Sequence, residues 1–154
     1  MAFRKQLIHG YVHDPGAAML GGIGGHAGLF SNATDLASLM QMILNKGNYG
    51  SMNYIHSDVI EEYTKAQFQG NRRGAGFDRP TASGGGTCHE SASQLSFGHS
   101  GFTGTLVWSD PQYGINYVFL SNRVCPDQDN WKIRDMNIRT DIQRVIYEAV
   151  KSAK

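Results

Sequence analysis

Cysteine and proline are both scarce: two and four among 154 residues. Cys88 and Cys125 could form one disulfide, yet nothing in their positions requires it. Without a Cys-x-x-Cys pair, a cysteine zinc site is not expected. An excess of charge is missing too. Lys+Arg total 14 and Asp+Glu 13, for a formal charge of +1, so the basic surplus of a general nucleic-acid binder is absent. No apolar run approaches the ~18 residues that cross a bilayer, so no membrane span is expected. Residues 1–10 carry charges but no apolar stretch of the signal-peptide kind. No Gly-x-Ser-x-Gly elbow occurs; Gly98-His99-Ser100-Gly101 comes nearest and has the wrong form. The six histidines show neither a helical His-x-x-x-His pair nor a finger spacing. His13, His26, His89 and His99 therefore read as separately hydrogen-bonded residues. Neither a metal nor a cofactor is expected.

Glycine is what the chain has in surplus. Its 19 glycines are about 12% of the residues, against a typical ~7%. With 40% apolar and 18% charged residues, the mixture is globular, and a chain this long can bury roughly 70% of its unfolded surface.

Along the chain, the first 30 residues are irregular. Tyr11-Val12-His13-Asp14-Pro15-Gly16 reads as a turn. The run Gly21-Gly22-Ile23-Gly24-Gly25-His26-Ala27-Gly28 calls for a specially bent backbone. It contains Gly22-x-Gly24-x-x-Ala27, a loose dinucleotide fingerprint, but the strand that must precede one is missing. A loop passing close to other backbone, or shaping the wall of a site, fits better. Leu36, Leu39, Met40, Ile43 and Leu44 then form one helical stripe. Ser31, Asn32 and Thr34 are available as caps, Asp35 suits the positive helix start, and Asn45-Lys46-Gly47 signals the stop. Asn32-Ala33-Thr34 matches a glycosylation sequon, although a cap is the better use of Asn32. A shorter helix is expected over residues 57–66, with Ser57 as its cap.

Residues 69–94 are polar and glycine-rich and form a linker or a long surface loop. Within them, Arg72-Arg73 reads as a solvated basic patch rather than an anion site. Residues 103–109, the turn Asp110-Pro111-Gln112-Tyr113-Gly114 and residues 115–120 predict an antiparallel hairpin. Its second strand is apolar on both faces, which places it mid-sheet under helices. Ile138, Ile142, Val145, Ile146 and Ala149 mark a final helix, with Asn137 as a possible cap. The order predicts an α+β fold, an antiparallel β-sheet flanked by helices.

Two blocks together resemble a known family. One is Gly21-Gly22-Ile23-Gly24-Gly25-His26-Ala27-Gly28-Leu29-Phe30-Ser31, followed by Ala33-Thr34-Asp35-Leu36-Ala37. The other is Phe97-Gly98-His99-Ser100-Gly101-Phe102-Thr103-Gly104. Both are similar to the serine β-lactamase and penicillin-binding-protein superfamily, in its class C, esterase-like branch. Gly10-Tyr11-Val12-His13-Asp14, Asn71-Arg72-Arg73-Gly74 and Phe119-Leu120-Ser121-Asn122-Arg123 more narrowly resemble the lactamase-like domain fused to family 3 glycoside hydrolases (β-N-acetylglucosaminidases) of Bacteroidetes-type bacteria.

The resemblance implies that residues 1–154 are a single partial domain, the C-terminal portion of a β-lactamase/transpeptidase-like fold. Family chemistry uses a Ser-x-x-Lys, a Tyr-x-Asn or its equivalent, and an H/K-[ST]-G triplet opening a strand along the site. Only the triplet is here: no Ser has Lys three residues later, and no Tyr has Asn two later. By resemblance, His99 would orient a carboxylate or shuttle protons and Ser100 would bond the substrate. Gly101 would leave room for close approach, and Phe102 or Thr103 would lie nearest the acyl carbonyl. His26 and Gly25 would form a wall of the same cleft. The implied partners are the missing upstream half of the domain and a peptidoglycan-derived or ester substrate. Homo-oligomerisation through an exposed sheet edge is also implied, as is a periplasmic or exported parent. Two further readings stay open: a non-catalytic lactamase-like binding or support module, and an unrelated small α+β binding domain.

Overall fold

The computed structural model describes Arg4 and residues 6–153. A short helix α1 (Pro15–Met19) starts where Asp14 accepts a hydrogen bond from the Ala17 N–H at 2.8 Å. The glycine run that follows is a tight loop. An added Cβ at Gly28 would stand 2.3 Å from the carbonyl oxygen of Gly22, with φ at +116°. Only glycine tolerates both conditions.

Helix α2 (Ala33–Leu44) is capped by Asn32, whose side chain accepts from the Asp35 N–H at 3.0 Å. It stops at Lys46 and Gly47, both with positive φ, where the Gly47 N–H reaches back to the Met42 carbonyl at 2.9 Å. Strands β1 (Asn48–Tyr49) and β2 (Met52–Asn53) form a small exposed hairpin. Helix α3 (Ser57–Thr64) is two residues shorter than expected, and its cap position is His56 rather than Ser57. Residues 65–96 hold no helix or strand.

A three-stranded antiparallel sheet follows: β3 (Phe97–Ser100), β4 (Leu106–Asp110) and β5 (Ile115–Phe119), in the order β3-β4-β5. This corrects three expectations. The triplet closes β3 instead of opening a strand, and the next strand starts at Leu106 rather than Thr103. The doubly apolar β5 stands at the edge, with β4 in the middle. Apolar residues on both sides of a strand report that both sheet faces are covered; they carry no information on its place in the sheet.

Both faces are indeed covered. One carries Leu106, Trp108, Ile115 and Tyr117 against Tyr147, Ile146 and Val150 of α5 (Ile138–Ser152), which follows the single turn α4 (Lys132–Asp135). The other carries Phe97 and Val107 against Met40 and Ile43 of α2, with Asn116 donating to the Ala37 carbonyl at 2.8 Å. The α5 stripe is a further correction. The sheet buries Gln143 and Tyr147, while Ile142 and Val145 are exposed. Tyr147 wins the inner face because its hydroxyl donates to Asp110 at 2.8 Å across the core. That carboxylate, fully buried, also accepts from the Ser93 N–H and hydroxyl and from the Gln112 N–H. Cys88 and Cys125 are both free, and burial pushes the Cys88 thiol up to about 12.

Candidate active-site strand

His99 and Ser100 end β3, paired with Val107 and Leu106 of β4. Alternation along a strand puts His99 on the α2 side with Phe97 and Ser100 on the opposite side. His99 is exposed and Ser100 half-buried. The His99 ring is held at both nitrogens: Nδ1 lies 2.8 Å from the Ser100 carbonyl oxygen and Nε2 3.1 Å from Nη1 of Arg73.

Gly101 begins the turn to β4, its N–H donating to the Thr105 carbonyl at 2.9 Å. A Cβ there would stand 2.3 Å from the Thr105 hydroxyl, so its missing side chain makes room for its own turn. Phe102 and Thr103 form the tip, and Arg123 fastens both. The Arg123 N–H donates to the Thr103 carbonyl at 2.9 Å, and its Nε to the Phe102 carbonyl at 2.8 Å. Its Nη1 donates to the carbonyls of Gln128 and Asn130. The same guanidinium lies 4.4 Å from the Phe102 ring centroid and 3.7 Å from that of Trp131. Phe102 also stacks on His13 at 5.6 Å. Burial, reinforced by the Arg4 charge, lowers the basicity of His13. Cation–π contacts with a largely buried arginine and three carbonyl acceptors make the turn stiff.

Asp78 organises the other side of β3. Its backbone pairs with Gly98 in both directions, at 2.7 and 3.0 Å. Its buried carboxylate accepts from Arg72 at 2.8 Å, from Thr87 and from the Arg79 N–H at 2.9 Å. Burial pushes this carboxyl up, but the bonds from Thr87, Arg72 and Arg79 outweigh it and hold it below the usual value.

The structure does not join every expected residue. His26 bonds to Asp14 through Nε2 at 2.8 Å, and no hydrogen bond links it to the triplet among the described residues. The Ala17 N–H, and then His26, hold the Asp14 carboxyl below its ordinary value. Gly25 faces open space. Among the described residues no three His, Cys, Asp or Glu side chains gather as a metal site would need. An open cleft of about 300 Å³ lies between residues 85–90 and the start of α5, and no triplet residue lines it.

Arg123 and Asp78 are the contributors that sequence reasoning missed. Arg123 stood in a quoted motif without a role, and Asp78 carries no local signal inside a polar loop. Arg73 was legible as half of a basic pair and, like Arg123, within a motif block, without a role.

The family model described as Beta-lactamase matches residues 3–136. Over 122 residues the chain is 37% identical to the "Putative D-alanyl-D-alanine carboxypeptidase" of Escherichia coli (strain K12), which covers 78% of this chain and 28% of that protein. The protein of the same name from Salmonella typhi is 38% identical with the same shares. The chain thus spans about 28% of the length of the curated relatives it matches. Its fold is similar to the crystal structure of a β-lactamase from Mycobacterium bovis, with a TM-score of 0.60 at 23% identity, covering 79% of this chain and 46% of that one. A family model over most of the chain and relatives above 30% identity place it: the chain belongs to the β-lactamase family, within the β-lactamase and penicillin-binding-like serine hydrolases.

Proposed function

We propose that this chain supplies the substrate-facing strand of a serine hydrolase and has no turnover by itself. The observation that carries this reading is the union of a braced triplet with a missing nucleophile. His99 and Ser100 end β3 and Gly101 enters a turn pinned by Arg123, while no Ser-x-x-Lys or Tyr-x-Asn occurs in the sequence. Acyl transfer needs an activated hydroxyl, and amides aimed at an oxyanion cannot attack a carbonyl. Ser100 lacks a general base: among the described residues no imidazole bonds to its hydroxyl, and the ring of its neighbour His99 is bonded to Arg73 and to the Ser100 carbonyl.

The nucleophile and its base lie in an upstream portion of a longer protein. Two features support this: the short share of its relatives that the chain spans, and the apolar residues left exposed on α5. Ser100 and the Phe102–Thr103 turn face a carbonyl substrate, His99 orients its carboxylate from the end of the strand, and His26 with Gly25 forms a wall of the same cleft. The substrate class is a peptidoglycan-derived peptide or an ester, in keeping with the carboxypeptidase name of the relatives. The motif wording supports an exported parent in which a family 3 glycoside hydrolase precedes this domain and both act on cell-wall material.

The test is hydrolysis of nitrocefin and p-nitrophenyl esters by this chain beside the longer protein. Activity confined to the longer protein is expected. Turnover by this chain alone would overturn the reading. Silence in both would favour a non-catalytic binding or support module.

A further inference from the structure

We propose that Arg73 is a positioning residue that locks His99 in the Nδ1–H tautomer, so that the triplet's positive charge is drawn from Arg73 and not from the ring. The inference deepens the reading of the triplet as the substrate-facing strand and rests on it. A guanidinium has five N–H groups and accepts nothing. At 3.1 Å from Arg73 Nη1, His99 Nε2 must therefore accept, and it carries no proton. A backbone carbonyl only accepts. At 2.8 Å from the Ser100 oxygen, Nδ1 must donate. Both bonds select one tautomer, and the opposite tautomer would break both.

Arg73 is itself held in place. Its Nε lies 3.5 Å from the Asp78 carboxylate, which the Gly98 backbone pairing fixes one residue away from His99. Its N–H donates to the Asn71 side chain at 2.9 Å, and its carbonyl accepts from the Gln67 N–H at 3.0 Å. The Arg73 side chain is 46% exposed, so the guanidinium bridges buried carboxylate and open surface. A protonated His99 would aim a second N–H at that guanidinium. An incoming acceptor oxygen would instead meet Arg73 as donor, the one lone pair of His99 Nε2 being taken up by Arg73. The Arg72-Arg73 pair is thus divided: Arg72 neutralises Asp78, and Arg73 serves the triplet.

The experiment is long-range ¹H–¹⁵N correlation on this chain labelled with ¹⁵N-histidine, at a pH where the rings are neutral. His99 is assigned through His99→Gln. The wild-type spectrum should show a pyridine-type Nε2 and a pyrrole-type Nδ1 for His99. In Arg73→Ala the dominant form should switch to Nε2–H, the tautomer a free imidazole side chain prefers, while the other histidines keep their shifts as evidence of folding. An Nε2–H or evenly mixed wild-type ring would overturn the assignment. Persistence of Nδ1–H in Arg73→Ala would show that the Ser100 carbonyl suffices, and would overturn the role of Arg73. No turnover is read, so a silent nitrocefin assay leaves this result independent.

Discussion

Asp78 shows how one side chain can hold a site that no local pattern announces. Its carboxylate is 3% exposed and is met by Arg72, Thr87 and the Arg79 N–H. Replacing it with alanine strands those donors, and a buried polar group left unpaired costs about 2 kcal/mol. Urea unfolding of Asp78→Ala at pH 7 should show that loss; an unchanged midpoint would contradict the role given to the carboxylate. The pH dependence follows from the same bonds. Because the folded carboxyl titrates below its ordinary 3.8, its contribution is complete above that value. It is lost as the pH falls through the lower folded value. The stability gap between wild type and Asp78→Ala should therefore be constant from pH 5 to 7 and shrink below about 4. At this scale, legibility depended on whether a residue acts through its neighbours in sequence. Asn32 caps the helix that begins beside it, and the sequence shows that. Asp78 acts on residue 98, and only folding brings the two together.

Elements were legible where their own period and caps decided them, as in α2. They were not where a partner decided. In β3, a four-residue strand containing Gly98 and His99 has little strand propensity. It forms because β4 pairs one edge and Asp78 pairs the other. In α5, apolar residues occupy more of the circumference than one sheet can cover, and the polar link from Tyr147 to Asp110 selects the buried side. Burial, followed by that bond, raises the Tyr147 hydroxyl far above the usual phenol range, so it stays a donor at any ordinary pH. Tyr147→Phe keeps the ring but removes the donor to a buried carboxylate, a loss of about 2 kcal/mol. Chemical denaturation monitored by Trp108 fluorescence should detect it. A variant as stable as wild type would mean that ring packing alone sets the rotation of α5.

For the whole molecule, the sheet stops early. Among the described residues nothing pairs with the outer edge of β5. Ile142, Val145 and Met136 are exposed near the C-terminus, as are Ile23, Leu29 and Phe30 in the glycine loop. An open strand edge and exposed apolar surface each invite pairing with another chain. In the absence of an upstream portion, a second copy is the available partner. Light scattering should show a non-monomeric state of this chain, still present at low micromolar concentration. A single monomer species there would oppose it.

Composition, the α2 stripe with its caps, the hairpin turn and the two motif blocks were enough to place this chain in an α+β fold of the β-lactamase family, because each depends on neighbours within a few residues. Tertiary structure alone decided which stripe of α5 meets the sheet, that β5 is an edge, that the triplet closes its strand and that His26 turns to Asp14. It also decided that Arg73 reaches His99 from 26 residues away. Hydrophobic and hydrogen-bonding preferences are written in the residues. Which surface satisfies them depends on what the chain brings alongside, and a loop such as 69–94 has no periodicity from which that could be read.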